Sequence, residues 1–249
     1  LVLNFTGYRY IKADNGAKFF GKTTDGVILR GTIMLPDGTK AKIDRSLGTI
    51  TYANGDVYDG NFSGFYRNGT GKMIYASGDT YEGSFADDTM SGSGVYISAD
   101  GSRYEGEFQN GKAEGNGIYT WSDGSTYEGS FSDNRKNGAG VYNGADGTHY
   151  EGEYKNDKKN GTGTFRYANG DVYSGEFVDD LREGNGTYTY ANGESYSGEF
   201  SKDRKNGKGV YSWPAPNARS YDGYFENGTV VIREDTPAPD DMQNEVAEG

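Results

Sequence analysis

The sequence has no cysteine and only one histidine, His149, among its 249 residues. The chain therefore cannot form a disulfide bond, a thiolate metal site or a catalytic thiol. A histidine that serves as a catalytic base needs a positioned nucleophile or an orienting carboxylate, and the sequence around His149 supplies no special one. These absences predict a protein that is not an enzyme.

Long apolar segments are also missing. Hydrophobic residues make up 33% of the chain, and no stretch approaches the roughly 18 consecutive apolar residues of a membrane span. The formal net charge of −12 argues against a nucleic-acid partner, because such binding depends on neutralising phosphates. No signal-peptide pattern opens the sequence. We expect a cytoplasmic or cytoskeleton-associated protein, or an organellar one if a presequence before Leu1 has been removed.

Glycine and aromatic residues are abundant instead, with 41 Gly, 22 Tyr and 12 Phe. Tyrosine recurs every 23 residues, and each of these tyrosines is followed by glycine two residues later and by a ring four residues later. The seven tyrosines are Tyr58, Tyr81, Tyr104, Tyr127, Tyr150, Tyr173 and Tyr196. An eighth copy starts at Tyr221. A fixed period of this size predicts a repeat array, which favours a binding or scaffolding surface over a catalytic pocket.

Each repeat has the alternation of a β-hairpin. In one copy, residues 115–121 and 126–131 alternate small or aromatic residues with polar ones around a turn at 122–125. Asp-Gly or Asn-Gly recurs at this turn, which predicts a type I′ turn. The period of two places the glycines and the rings on one face. Glutamates and a β-branched row are expected on the other.

The predicted fold class is all-β, an elongated single antiparallel sheet of stacked β-hairpins that forms an open ribbon. At about 9.6 Å per hairpin, eight repeats would extend on the order of 75 Å. The glycines of the ring face are expected to leave room for rings of the adjacent strand, or to let the ribbon bend.

These residues resemble the MORN repeat. The segment 104–108, Tyr-Glu-Gly-Glu-Phe, followed by Gly115-x-Gly117, matches that pattern nearly letter for letter, and the resemblance covers about residues 47–228. It implies an antiparallel sheet with an aromatic-lined groove. MORN proteins serve mostly as scaffolds in cytoskeletal and organelle-contact assemblies, or as accessory arrays on lipid kinases and methyltransferases. Nothing in this chain resembles such an enzyme domain.

The two ends depart from the repeat. Residues 1–47 read as degenerate hairpins, at 15–21 and 31–43, that either cap the array or dock a partner. Residues 48–229 form the array. From residue 230 onward the chain has six acids, one base and two prolines, which predicts a solvated, disordered tail over 230–249.

The candidate partner-binding residues are aromatic side chains on the ring-rich face, because a single sheet has no second layer to cover them. Aromatic side chains dominate interface hot spots, although the same rings must also stack on each other to hold the sheet together. The predicted set is Tyr96, Tyr119, Trp121, Tyr142, Phe165, Tyr188, Tyr190 and Trp213. The column of Trp121 and Trp213 has Ser98 and Gly144 in other repeats, so it cannot be indispensable for stacking everywhere.

Basic residues at equivalent loop positions form a second candidate site, a basic edge. Its members are Lys112, Arg135, Lys136, Lys158, Lys159, Arg182, Arg204 and Lys205. Cations near an anionic surface contribute about 1 kcal/mol each, but the seven six-residue loops sum to a charge of only +2. Membrane lipid is therefore a possible partner that the sequence does not favour. The aspartate-rich loops lack the ligand spacing of an EF-hand, and we predict no metal site and no cofactor.

The function predicted from the sequence is a non-catalytic scaffold that holds one or more protein partners on its ring-rich face. The alternatives are membrane attachment through the basic edge and a regulatory array for an enzyme on another chain. A homodimer is possible. The sequence does not identify the partner.

Overall fold

The computed structural model describes residues 6–14, 16–64, 66–216 and 218–231, and every regular element in them is a β-strand. The chain divides into two compact units, residues 1–122 and 123–249. Unit 1 contains β1 (Gly7–Lys12), β2 (Lys18–Thr24), β3 (Val27–Met34), β4 (Lys40–Asp44), β5 (Thr49–Tyr52), β6 (Val57–Ser63), β7 (Tyr66–Ile74), β8 (Thr80–Ala86), β9 (Thr89–Ile97), β10 (Arg103–Gln109) and β11 (Lys112–Thr120). Unit 2 contains β12 (Thr126–Ser132), β13 (Arg135–Asn143), β14 (His149–Lys155), β15 (Lys158–Arg166), β16 (Val172–Val178), β17 (Leu181–Thr189), β18 (Ser195–Ser201), β19 (Arg204–Trp213), β20 (Arg219–Glu226) and β21 (Thr229–Val231).

Within each unit every strand pairs antiparallel with the next strand along the chain. This holds from β1 to β11 in unit 1 and from β12 to β21 in unit 2. The pairings described for each unit leave its sheet open. The prediction of an all-β, antiparallel array of hairpins is confirmed.

The turns differ from the prediction, because the Asn-Gly and Asp-Gly turns are not type I′. At Asn192-Gly193 only the glycine has a positive φ, +88°, and its N–H donates to the Tyr190 carbonyl at 2.9 Å. This is a three-residue loop, a type I turn followed by a left-handed glycine. The type I′ turns join the opposite strand ends, as at Asp179 (φ 49°) and Asp180 (φ 75°). Short polar side chains tolerate that conformation.

The strand register confirms how the two faces were assigned. Between β13 and β14, Tyr142 lies opposite Tyr150 and Gly140 opposite Gly152, and one residue along Val141 lies opposite Glu151. Because side chains alternate along a strand, rings and glycines share one face, here called the ring face. Glutamates and β-branched residues share the polar face.

The glycine pairs make room for a tyrosine that lies flat across them. A Cβ added at Gly152 or Gly163 would lie 2.4 or 2.5 Å from the hydroxyl oxygen of Tyr150. That hydroxyl donates to the Glu153 carbonyl at 3.1 Å, and the Tyr150 side chain is fully buried. The expectation that the glycines leave room for a ring of the adjacent strand is confirmed at Gly163, whereas at Gly152 the ring belongs to the same strand.

These tyrosines and the rings four residues after them form a stack that we call the ladder. Tyr150 makes edge-to-face contacts with Tyr154 (5.2 Å between centroids, 89°) and with Phe177 (5.3 Å, 88°). The same two contacts recur for Tyr81 in unit 1 and for Tyr173 in unit 2. Such pairs contribute about 0.5–1.5 kcal/mol each beyond burial. Ring stacking therefore replaces an aliphatic core in the repeats.

The N-terminal strands keep this geometry with different residues. Phe19 takes the place of a ladder tyrosine, since a Cβ at Gly21 or Gly31 would lie 2.6 or 2.5 Å from its ring. Buried aliphatic side chains continue the ring face: Ile28, Ile33, Ile43 and Ile50. The predicted hairpin at 31–43 is confirmed by the pairing of β3 with β4.

The proposed domain boundaries at residues 47 and 229 stay predictions. The prediction of a disordered tail from residue 230 is wrong for its first two residues, because Val230 and Val231 belong to β21 and pair with β20. The remainder, residues 232–249, lies outside the described residues.

Candidate functional site

The rings predicted to bind a partner form a second aromatic row on the ring face, beside the ladder. We call this row the groove rings. Its members are the predicted residues Tyr96, Tyr119, Trp121, Tyr142, Phe165, Tyr188, Tyr190 and Trp213, together with Tyr75, Tyr167 and Tyr211, which have equivalent positions in their repeats. The eight predicted rings are half-buried, whereas the ladder tyrosines are buried. The ring face therefore has a structural layer and a partly exposed one.

In unit 2 the groove rings make an unbroken series of contacts from Phe165 to Trp213. The centroid separations are 4.6 Å for Phe165–Tyr167, 5.6 Å for Tyr167–Tyr188, 4.7 Å for Tyr188–Tyr190, 6.1 Å for Tyr190–Tyr211 and 4.6 Å for Tyr211–Trp213. The Arg219 guanidinium lies 4.5 Å from the Trp213 ring centre. Six side chains from three repeats thus form one continuous series of aromatic contacts.

Carboxylates hold several of the groove tyrosines. The Tyr188 hydroxyl donates to Asp171 at 2.6 Å, and the Tyr211 hydroxyl donates to Glu194 at 2.5 Å. Burial and the hydrogen bond to Asp171 raise the pKa of Tyr188. Burial alone would raise the pKa of Asp171, but hydrogen bonds from Tyr188 and from the Ala191 N–H outweigh it and keep that pKa low. The phenols therefore stay protonated in a fixed orientation.

The predicted basic edge is divided between two environments. Its members begin strands rather than occupying loops, because the turns before them have only two residues. Side-chain alternation then sends the two members of each adjacent pair in opposite directions. Lys112, Arg135, Lys158 and Arg204 are exposed, whereas Lys136, Lys159, Arg182 and Lys205 are half-buried on the ring face. The basic edge is therefore divided between the two faces of the sheet, and its function stays a prediction.

The half-buried cations lie over the aromatic rings, and we call them the cation column. Lys159 lies 4.7 Å from the Phe165 ring centre, and Arg182 lies 5.1 Å from that of Tyr188. Burial, the main cause, lowers the pKa of Lys136 and of Lys159, and the nearby aspartates oppose that shift. Arg67 has the corresponding position in unit 1, 5.1 Å from Phe85.

Aspartate in the next type I′ turn anchors most of this column. Arg182 pairs with Asp203 at 3.1 Å, the Arg182 N–H donates to the same carboxylate at 2.9 Å, and the Asp203 N–H donates back to the Arg182 carbonyl at 3.0 Å. The arrangement recurs for Arg67 with Asp88 and for Lys159 with Asp180. The sequence analysis did not identify these aspartates as anchors. The available signal was an aspartate at a fixed distance after each of these cations.

Lys205 differs from its counterparts, because Gly228 occupies the anchoring position. The Gly228 N–H donates to the Lys205 carbonyl at 2.9 Å, so the backbone arrangement is kept without the carboxylate. The Lys205 ammonium lies 5.0 Å from the Tyr211 ring centre and 5.3 Å from that of Tyr190. Burial, assisted by the nearby Arg182, lowers the pKa of Lys205 to about 8.

An open cleft of about 660 Å³ surrounds this lysine. Its lining combines three cations, two carboxylates and aromatic walls, among them Arg182, Arg204, Lys205, Asp171, Asp203 and Tyr190. The cleft joins the predicted ring site to the predicted basic site, which the sequence had placed apart.

The described residues contain no group of three or more His, Asp or Glu side chains that could hold a metal ion. His149 lies at the start of β14, where its Nδ1 is 2.7 Å from the amide oxygen of Asn143. No helix in the described part of the chain is long and apolar enough to cross a membrane. The absence of catalysis, cofactor and metal stays a prediction.

Comparison with protein families identifies the repeats. The family model described as MORN repeat matches residues 58–80, 81–103, 104–126, 127–149, 150–172, 173–195 and 196–215. No curated protein has a sequence that matches this chain.

Two solved structures share a distant likeness in fold. The TCP10 domain of Danio rerio CPAP, in complex with a peptide of STIL, has 11% sequence identity and a TM-score of 0.43, over 88% of this chain and 100% of that chain. The TCP domain of Drosophila melanogaster SAS-4, in complex with a proline-rich motif of Ana2, has 16% identity and a TM-score of 0.34, over 82% of this chain and 96% of that chain. At these values the likeness does not extend to function.

Proposed function

Because the chain belongs to the MORN-repeat family, we propose that it is a non-catalytic scaffold that holds a protein partner against its groove rings. The contact residues are the eight rings predicted from the sequence, with the half-buried Tyr75 and Tyr167 beside them. The observation that carries this proposal is the division of the ring face into a buried ladder and a half-exposed groove row.

This division bears on function because the two layers do different work. The ladder tyrosines are buried and hydrogen-bonded to the backbone, so they are already engaged in holding the strands together. The groove rings are fixed by neighbouring rings and carboxylates, and all of them except the buried Tyr211 keep exposed surface. Rigid, amphipathic rings lose little entropy on binding and are enriched among interface hot spots.

Membrane attachment through the basic edge has less support. Half of the predicted edge is folded over rings, where Lys159 and Arg182 face Asp180 and Asp203. Among the exposed members, Lys158 lies 3.8 Å from the Asp179 carboxylate. Lipid binding depends on the summed charge of a cationic surface, and these aspartates reduce that charge. A regulatory array for an enzyme on another chain would use the same groove and differs only in the partner.

The test is affinity capture of the native complex with groove variants, read by quantitative mass spectrometry. Tyr190→Ser and Trp213→Ser should lose a partner that the wild-type chain retains. The matched control is Glu151→Ser, because Glu151 is exposed on the polar face, and it should retain that partner. If the ring variants retain every partner and the polar-face variant loses one, the binding site lies on the polar face.

A further inference from the structure

One member of the cation column lacks the anchor that its counterparts have. Arg67, Lys159 and Arg182 each face an aspartate in the following type I′ turn. At Lys205 the same backbone hydrogen bond forms, but the turn residue is Gly228. Within the described part of the chain Lys205 makes no ion pair. Its ammonium is held only by the faces of Tyr190, Tyr196 and Tyr211.

The place that an aspartate would take at this turn is open. A Cβ added at Gly228 would meet no atom within 4 Å, and Gly228 lines the cleft of about 660 Å³ around Lys205. The cleft is large enough for one or two side chains. A half-buried ammonium beside unfilled space favours a ligand that brings a carboxylate to it.

We propose that the Lys205 cleft is a subsite that binds the carboxylate of an Asp or Glu side chain in an acidic segment of a partner protein. Lys205 provides the ion pair, Arg182 and Arg204 add positive charge, and the aromatic walls of the cleft are Tyr188, Tyr190 and Phe200. This subsite rests on the proposed function, since it assigns a specificity to one part of the groove.

The charges around the cleft favour a single carboxylate over a phosphate group. Asp171 and Asp203 belong to its lining, and Glu194 lies close enough to interact with Lys205 electrostatically. Asp203 is already engaged by Arg182, and Glu194 accepts the Tyr211 hydroxyl. The doubly charged phosphate of a phosphopeptide or of a lipid headgroup would meet more repulsion there than a carboxylate does. The aromatic walls also suit a peptide that continues along the groove rings.

The inferred ion pair predicts a pH dependence of binding. The groups around Lys205 are Arg182 on β17, Glu194 just before β18, Asp171, Asp203 and Arg204 in the cleft lining, and the rings of Tyr190, Tyr196 and Tyr211. Of these groups, Lys205 is the one whose proton is lost near pH 8. A bound carboxylate would raise the pKa of Lys205 again. Affinity for an acidic peptide should therefore fall as the pH rises from 7 to 9.5.

The experiment is selection of a random-sequence peptide library on the full chain, followed by affinity measurement on the selected peptides. We expect enrichment of Asp or Glu, and loss of affinity by about tenfold or more in Lys205→Gln, as for removal of a charged hydrogen-bond partner. Lys205→Arg should retain binding. Lys159→Gln is the matched control, since Lys159 also lies over three aromatic rings but has its own partner, Asp180, and it should leave affinity unchanged.

A second variant, Gly228→Asp, places a carboxylate of the chain itself beside Lys205. Gly228→Asp supplies the aspartate that Asp180 and Asp203 supply elsewhere, at a left-handed position (φ 93°) that aspartate adopts in the other turns. It should keep the melting temperature at or above the wild-type value, abolish the acidic preference, and return the pKa of Lys205 towards its ordinary value of 10.5. A variant that merely unfolds would fail the first of these criteria.

The outcomes separate the subsite from the scaffold function. If selection yields peptides that depend on Tyr190 and Trp213 but carry no acidic preference, the subsite is overturned and the scaffold function stands. If no peptide or protein binds the groove, both are overturned. An acidic preference that survives Lys205→Gln places the carboxylate elsewhere. Binding that requires phosphorylated residues or anionic vesicles overturns the carboxylate assignment. If Lys205 titrates normally in the full chain but near pH 8 after removal of residues 232–249, the carboxylate comes from the chain itself.

Discussion

Unit 1 and unit 2 share the ladder but differ in the two columns beside it. The cation column of unit 2 consists of Lys136, Lys159, Arg182 and Lys205, and the equivalent positions in unit 1 are Arg67, Met90 and Ala113. In the row of groove rings, Ser98 replaces a ring in unit 1 and Gly144 replaces one in unit 2. After Gly144, unit 2 has an unbroken series from Phe165 to Trp213. Unit 1 also has the aliphatic N-terminal strands.

This difference separates what the fold requires from what it leaves free. The ladder keeps the same geometry in both units, with Tyr81–Phe108 at 5.0 Å and Tyr173–Phe200 at 5.1 Å, because every repeat needs its rings across the glycine pair. The cation column accepts Met90 and Ala113 without loss of the strand pairing. Positions that vary between repeats without changing the backbone are available for binding, and in unit 2 they hold rings and cations together.

The largest effect is expected from a ladder tyrosine, and it should be the same in the two units. Tyr81→Ala and Tyr150→Ala each remove a fully buried ring and should lower the free energy of unfolding by about 3–5 kcal/mol. Thermal and urea unfolding would measure this. If one unit tolerates the change at a cost below 1 kcal/mol, the ladder is not an equivalent structural element in both.

A smaller effect is expected from the glycine under the ring. Gly163→Ala places a Cβ 2.5 Å from the Tyr150 hydroxyl oxygen, which should cost about 1–3 kcal/mol by overpacking. In the background of Tyr150→Ala that contact is gone, so the same glycine substitution should cost much less. A double-mutant cycle in urea measures the coupling. Additive costs would show that Gly163 is required for backbone reasons and not for ring clearance.

The sequence predicted most of the fold because its signals are local and repeated. Tyr-x-Gly with period 23 and alternating polarity determine the hairpins, the faces and the ladder. The type I′ turn predicted at Asn192-Gly193 was wrong. That turn requires positive φ at both residues, and only Gly193 has it. The division of the basic edge was missed because it depends on a two-residue turn at Asp179-Asp180, which fixes the face of Arg182. The Lys205 cleft depends on contacts between repeats that no single repeat encodes.

Substitutions of groove rings test whether the two units contribute to partner binding. Trp121→Ser in unit 1 and Trp213→Ser in unit 2 remove half-buried rings and should each cost the fold about 1–2 kcal/mol, less than a ladder tyrosine. Each should weaken partner binding, by about 2 kcal/mol if the ring is an anchor of the interface. Melting curves and partner affinity measure the two effects. Normal binding by both variants would move the partner to the polar face or to residues 1–47.

Titration of Lys205 should change stability in unit 2 alone. Its pKa is about 8 in the folded chain against an ordinary value of 10.5. Above pH 8 the unfolded chain therefore binds more protons than the folded chain, and stability should rise with pH up to about 10. Beyond that the tyrosines oppose the trend, since burial raises the pKa of Tyr196 to about 12. Lys205→Met should be relatively more stable at pH 7 than at pH 9.5, and parallel stability curves for variant and wild type would contradict this.

The smallest expected effect concerns anionic membranes, even though unit 2 carries all residues of the predicted basic edge except Lys112. The chain has a net charge of −12, and the cations of the ring face already contact rings and aspartates. We expect weak or no co-sedimentation with anionic liposomes at physiological salt, since screening confines such attraction to about 8 Å. Substituting Lys136, Lys159 and Lys205 with Glu should change nothing in this assay. Strong, salt-sensitive binding that disappears in this triple variant would show that the cation column of unit 2 is a lipid site, and that the rings beneath it serve only the fold.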